Sequence, residues 1–279
     1  MNFAPGRDLG ILRSKYIDAG EPIEMVQCRT IDLEVPATAE IVLEGRIIPE
    51  ITVPDGPFGE YHGYYGPPHR VPVFEVSAVT HRKDPIYQGL YIGMPPTENA
   101  YFETTSIELE IHRGLRSVLG YLRFNMVIAG TRRNGVLQIR KHFEDHGKMA
   151  GLTLLGLHAA SDIKTAIIVN DDIDPFDWDA VNWALSTRFN PAVDVEIMTG
   201  LSGNPLDLAM PKEEAYKANR ISKIILDATK PLIEPLPDTC LPHPDVMEAV
   251  PKNWARYDIG RAVGATRVSG DTPDVSAEP

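Results

Sequence analysis

The sequence predicts a mixed α+β fold in two parts, a strand-rich N-terminal region followed by an α/β region. Three observations carry this. Between Pro22 and Gly93, short β-branched runs are punctuated by Pro and Gly, the composition of an antiparallel sheet or barrel. Between Tyr121 and Met198, strand-like and helix-like runs alternate, as in an α/β sheet. The length of 279 residues suits one large domain or two modest ones.

Residues 1–22 lack apolar periodicity and read as a ragged lead into the fold. Ile23–Ala37 and Ala39–Glu50 carry β-branched residues in partial alternation and read as strands, separated at Pro36. Val53–Pro72 is a Gly/Pro/Tyr-rich loop, and FEVSAVTHR and YQGLYIG after it are again strand-like. Near Pro95 the pattern changes. Thr97 is placed to N-cap a helix with Glu98 in its first turn, and Ile107, Leu109, Ile111, Leu115 and Leu119 follow at partly helical spacing. Tyr121–Gly130 reads as a strand, and VLQIRKHFEDHGKMAGLTLLGLHA as one helix. Ile163–Asn170 is a nearly continuous apolar strand of the kind buried on both faces. Trp178–Leu185 reads as a short helix and Val193–Met198 as a strand. The Pro-rich tail after Pro231 reads as an extended segment, with a short helix in Pro244–Gly260 and a frayed, polar end.

Composition excludes several classes. Lys plus Arg is 27 and Asp plus Glu 39, a net charge of −12, against the basic field of a general nucleic-acid binder. No run has the length of an apolar membrane span, and the N-terminus lacks the basic and apolar blocks of a signal peptide. Two cysteines, Cys28 and Cys240, exclude a cysteine-rich scaffold or a four-cysteine zinc site, and a reducing cytoplasmic setting is the simplest expectation. GxGxxG, P-loop and GxSxG motifs do not occur.

The richest chemistry lies in DGPFGEYHGYYGPPHR, which gathers Asp55, Glu60, His62 and His69 beside Phe58, Tyr61, Tyr64 and Tyr65. Two carboxylates five residues apart on a turning loop could converge on one site, one donating a proton while the other stays charged. The same residues also suit a surface loop with solvated acids and packed rings, and both readings stand. The acidic run NDDIDPFDWD fails as a calcium loop, because Pro175 occupies the place of the turn glycine. It is either an active-site rim or a helix-capping segment, with Asp177 or Asp174 as the cap. GTRRNG, read as preceding a helix, is either an anion site or a solvated turn. His112, His142 and His146 read as helix-surface residues.

The run EIVLEGRIIPEITVPDGPFGEYHGYYG resembles the hallmark segment of the UbiD-like decarboxylases, which use prenylated flavin mononucleotide. IIVNDDIDPFDWDAVNWALSTRFNPAVD, LSGNPLDLA and SKIILDATKP follow in the family's order. The resemblance implies the last part of a flavin-holding split β-barrel, flavin-reductase-like, in residues 1–95. It implies a three-layer α/β C-terminal domain in 96–235 and an extended or helical, oligomer-contacting tail in 236–279. It covers only the family's C-terminal half or slightly more. Members reversibly decarboxylate aromatic, heteroaromatic or α,β-unsaturated acids, with a glutamate returning the proton.

By position, Glu60 matches that glutamate. Asp55 matches the acid, normally Glu, that pairs with an arginine; Asp is one methylene shorter and loosens that network. His158 matches a basic residue that contacts the flavin phosphate, and Met198 and Leu201 bound the expected substrate-pocket wall. Arg188 and Pro191 match a structural motif. The network arginine, most flavin contacts and the Asn, His and Glu ligands of the Mn2+ or similar divalent metal belong to the half that has no counterpart here, so the metal and K+ are expected mainly from there or from a partner chain. The resemblance therefore implies a subunit or half of a prenylated-FMN-dependent reversible decarboxylase, inactive alone. It would be completed by an N-terminal-half chain or a full-length UbiD-like subunit in a homo- or hetero-oligomer. Two alternatives stand beside it, a non-catalytic structural or regulatory partner and a truncated inactive product.

Overall fold

The computed structural model describes residues 24–204, 206–209 and 220–257. The expected lead at 1–22 and the frayed end after Gly260 lie outside them. The chain divides after Leu232 into a large unit and a small one.

The large unit opens with two short antiparallel strands, β1 (Met25–Gln27) and β2 (Glu34–Pro36). Next comes a ribbon of two long antiparallel strands, β3 (Ile41–Asp55) and β4 (His69–His81). Among the described residues these four strands form two separate two-stranded sheets and close no barrel. The ribbon bends at two irregularities of register, at Glu44/Gly45 and Ile48/Thr52. Glu44 is 1% exposed, and its carboxylate accepts from the amides of Arg29 (2.9 Å) and Thr30 (2.6 Å) and from the Thr30 hydroxyl (2.7 Å). Those bonds, the Arg29 amide foremost, hold its pKa below the ordinary carboxylate range. Ile41, Leu43, Ile47 and Val79 of the ribbon remain exposed. YQGLYIG is irregular rather than a strand, because its groups are engaged singly: the Tyr91 amide donates to the Glu98 carboxylate (2.7 Å).

Thr97 caps α1 (Glu98–Leu115), its hydroxyl accepting from the Ala100 amide at 3.2 Å, as the sequence predicts. The five-stranded sheet follows in the order β5-β6-β7-β9-β8: β5 (Tyr121–Met126), β6 (Asn134–Ile139), β7 (Thr165–Asn170), β8 (Val195–Ser202) and β9 (Arg220–Asp227). The central pairs β6–β7 and β7–β9 are parallel, and the outer two are antiparallel. β8 is an edge strand, and one extra residue bulges from it between Met198 and Leu201, where Gly200 has φ 73°.

The expected single helix over VLQIRKHFEDHGKMAGLTLLGLHA is instead the strand β6 and a helix, α2 (His146–Gly156). Val136, Leu137 and Ile139 are buried on both faces of the sheet, and a short apolar run of that kind has no period to separate strand from helix. Ile111 and Leu115 of α1 and Ala150, Leu154 and Leu155 of α2 cover one face, against Phe124, Leu137, Ile168 and Ile225. Val181 and Ala184 of α3 (Trp178–Arg188) cover the other, against Val136, Ile167 and Val169. The result is three layers, with β7 at the centre, as its apolar run predicts.

The described part of the small unit holds α4 (Pro244–Lys252), capped by the His243 imidazole, and a single 3-10 turn at Trp254–Arg256. Among the described residues no helix is long and apolar enough to cross a membrane.

Candidate functional site

The β3–β4 ribbon ends in the acidic loop. Asp55 closes β3 opposite His69, and Glu60 lies beyond it, both half-buried. The loop is braced from within. The Glu60 amide donates to Tyr64 O (3.0 Å), the Gly63 amide to Glu60 O (2.9 Å) and the Gly66 amide to Phe58 O (3.0 Å). Its glycines serve close approach. A Cβ on Gly59 would stand 2.6 Å from Ile92 O, and Gly63, at φ 88°, lies against Met94. A Cβ on Gly66 would make only ordinary contact with Glu60, 3.6 Å from Oε1. Phe58, Tyr64 and Tyr65 are exposed, whereas His62 is buried, with Nδ1 accepting from the Tyr64 amide (3.2 Å). Burial lowers the His62 pKa, against the pull of Glu60, and favours the neutral ring.

Tyr61 is the ring of this loop that faces the five-stranded sheet. The Arg132 guanidinium lies over it at 4.5 Å and that of Arg133 at 5.8 Å, and Arg133 Nη2 donates to the tyrosine hydroxyl at 2.7 Å. Burial raises the Tyr61 pKa in spite of Arg133, so the hydroxyl stays neutral. No helix follows GTRRNG; it is the turn joining β5 to β6, entered through a 3-10 turn at Ile128–Gly130. The anion site expected from a helix N-terminus therefore has no helix there. Thr131 (φ 55°) and Arg132 (φ 62°) both take the left-handed region, at a cost of about 1–2 kcal/mol each. Both arginines are buried, at 5% and 9% exposure. Arg132 pairs with Glu103 of α1, while its buried Nε has no hydrogen-bond partner. Arg133 Nη1 reaches the Asp162 carbonyl at 3.5 Å. An open cleft of about 500 Å3 borders the junction, lined by Phe102, Glu103, Ser106, Ile107, Arg132 and Asp162.

His158 begins the 3-10 turn His158–Ala160 and is exposed. This turn is pinned from β9 by Lys223, which is 2% exposed and donates to Ala160 O (3.1 Å) and Ser161 O (3.0 Å). Burial lowers its pKa to about 8, against the pull of Asp162. Met198 and Leu201 lie on β8; Met198 packs against the main core cluster, and Leu201, half-buried, pairs with Ile221 of β9. Asp55 and Glu60 thus share one loop, and Tyr61 links that loop through Arg133 to the segment just after His158, with Met198 and Leu201 on a separate strand.

The acidic run is a capping segment. Asp177 accepts from the amides of Asp179 (3.0 Å) and Ala180 (3.1 Å) at the start of α3. Asp172 takes a bidentate pair from Arg188 (2.9 and 2.7 Å) and a contact from Lys230 (2.7 Å), which overcome burial and bring its pKa to about 2. His146 is buried rather than on a helix surface, because it starts α2 beneath Phe143, on which it stacks at 4.5 Å. Among the described residues no three His, Cys, Asp or Glu side chains group as a metal site. The loop's chemistry fits a flat, aromatic ligand that exchanges a proton: exposed rings and two carboxylates.

Residues 13–95 match the sequence model of the 3-octaprenyl-4-hydroxybenzoate carboxy-lyase Rift-related domain, and residues 100–228 that of the C-terminal domain of the same enzymes. An uncharacterized protein of Archaeoglobus fulgidus is 36% identical over 225 residues, covering 78% of this chain and 45% of that protein. The UbiD-class enzyme HmfF of Pelotomaculum thermopropionicum, solved in complex with FMN, superposes with a TM-score of 0.67 at 34% identity, over 81% of this chain and 49% of that one. An evolved dimeric form of HmfF was solved with prenylated FMN (TM-score 0.62, 33% identity, 81% and 47% covered). The vanillic acid decarboxylase of Sedimentibacter hydroxybenzoicus, in its open form, gives a TM-score of 0.66 at 30% identity, over 86% and 51%. The chain spans about half the length of the relatives it matches.

Proposed function

The chain belongs to the UbiD family of carboxy-lyases, and from that premise we propose that it is the acid-bearing subunit or half of a prenylated-flavin-dependent, reversible decarboxylase of aromatic or α,β-unsaturated acids. The observation that carries this reading is the braced loop holding Asp55 and Glu60 at the end of a ribbon whose apolar side chains lie open. In this reading residues 1–95 are part of a split barrel, 96–235 the α/β domain and 236–279 a tail that contacts other subunits. An N-terminal-half chain or a full-length relative completes the barrel, and brings the network arginine, the divalent metal with its ligands and K+. The free cysteines, Cys28 and Cys240, suit a reducing cytoplasm.

Prenylated FMN, when bound, supplies the electron sink for loss of CO2. This chain's part is positional and protonic. Phe58, Tyr64 and Tyr65 offer ring faces to a flat ligand, and His158 a contact for its phosphate. Met198 and Leu201 wall the substrate ring. Glu60 holds a proton on a carboxyl oxygen and delivers it to the carbon whose bond to CO2 has broken. Asp55 anchors the arginine of the completing chain.

The purified chain, reconstituted with prenylated FMN, is expected to release no CO2 from aromatic acids, whereas its complex with the completing polypeptide does. Glu60→Gln abolishes turnover of the complex. Turnover by the chain alone, or an active Glu60→Gln complex, would overturn the proposal.

A further inference from the structure

The strained β5–β6 turn brings two buried arginines, one also paired with Glu103 and the other also reaching Asp162 O, to one side chain of the acidic loop. We propose that Tyr61 is a positioning residue: gripped by Arg132 and Arg133, it fixes where the loop, and with it Glu60, stands relative to the five-stranded sheet. The role in catalysis rests on the decarboxylase reading; the grip itself does not.

Three features support it. First, Tyr61 follows Glu60 directly, and the hydrogen bonds Glu60–Tyr64, Gly63–Glu60 and Gly66–Phe58 brace the loop internally. A loop braced in this way moves as a body, so a grip on one ring places its neighbours. Second, the grip constrains both direction and distance. Arg132 covers the ring face at 4.5 Å, and Arg133 holds the hydroxyl at 2.7 Å. A ring held by face and tip has little freedom to tilt or slide. Third, the turn keeps a costly arrangement. Two consecutive non-glycine residues are left-handed, and a buried Arg132 Nε goes unpaired. Local strain of this kind persists where the surroundings over-determine it, and here it puts two guanidinium groups on one ring. Gly59 of the same loop abuts Ile92 O, a second close contact that confines it.

The test uses the full chain. Tyr61→Phe keeps the ring and removes the hydroxyl. Amide exchange at Glu60, Gly63 and Gly66 is expected to rise about tenfold, with the β7 amides unchanged. Unchanged loop exchange overturns the grip. If Tyr61→Phe does not fold, Arg133→Lys, which keeps the charge and loses the planar fork, carries the same expectation. In the complex with the completing polypeptide, Tyr61→Phe should lower kcat about a hundredfold with KM little altered, the pattern of a misplaced reacting group rather than of lost binding. A complex whose wild type turns over and whose Tyr61→Phe variant keeps the same kcat overturns the positioning role and leaves the decarboxylase reading intact. A wild-type complex without turnover, together with faster loop exchange in Tyr61→Phe, upholds the grip and removes the decarboxylase reading.

Discussion

Lys223 stands where a strand facing the core would carry a hydrophobic residue. It is protonated at neutral pH only against the cost of burial, and two backbone carbonyls compensate. Its pKa is about 8 in the folded chain against an ordinary 10.5. Between those values the unfolded chain holds a proton that the folded chain has released, so this group makes stability rise with pH across that window. Urea unfolding at stepped pH should show the rise in the wild type and a flatter profile in Lys223→Met; equal slopes would remove Lys223 as the cause. Asp172 works in the opposite range. With its pKa brought to about 2, its contribution is present above the ordinary 3.8 and is lost as pH falls toward 2. Asp172→Asn should therefore weaken the protein at neutral pH and narrow its loss of stability in acid. Gly59→Ala should cost about 1–3 kcal/mol, because a backbone oxygen, Ile92 O, must give way. That Asp55 and Glu60 share the end of one ribbon was legible in the sequence, because their run is contiguous. The partners of Tyr61 were not, since Arg133 is 72 positions away and nothing local marks the pair.

Among the elements, α1 and α3 were legible from their caps. Thr97 and Asp177 each satisfy amides that the first turn leaves open, a local signal that packing does not have to supply. Asp177→Ala should cost about 1 kcal/mol of unfolding free energy. Since Asp177 accepts from two amides, its loss should exceed that of Asp174→Ala, where one bond to the Phe176 amide and a half-exposed ion pair with Arg123 of little worth are removed. β6 was misread because its three apolar side chains, Val136, Leu137 and Ile139, are buried on both faces, and β9 passed unread as a strand because Lys223 interrupts its apolar alternation. The ribbon is the reverse case. Its strands were legible only in part, since residues 53–55 and 69–72, read as loop for their prolines, lie in the ribbon, where cross-strand pairing outweighs that signal; Ile41, Leu43, Ile47 and Val79 are exposed. Hydrogen exchange in the purified chain should be faster in β3 than in β7, and binding of the completing polypeptide should slow β3 most; equal protection of β3 and β7 in the chain alone would argue against an unfinished sheet.

At the scale of the molecule, the three-layer α/β body and the open ribbon differ in self-sufficiency. The body buries both faces of its sheet under its own helices, while the ribbon leaves much of its apolar surface uncovered. The order of strands and helices carried most of that architecture in the sequence, whereas the open apolar surface of the ribbon emerged only from the structure, because exposure depends on what packs against a strand and not on its own pattern. The bulge in β8 has a consequence of its own. A free edge of a sheet is a template on which other chains can stack, and a long flat edge invites fibril growth. Here the edge breaks step between Met198 and Leu201, and Gly200, at φ 73°, turns the backbone out of the extended form. An incoming strand meets a short ladder and then a kink. Among the described residues nothing pairs with the outer side of β8, and its bulge is a built-in guard against amyloid-like stacking there.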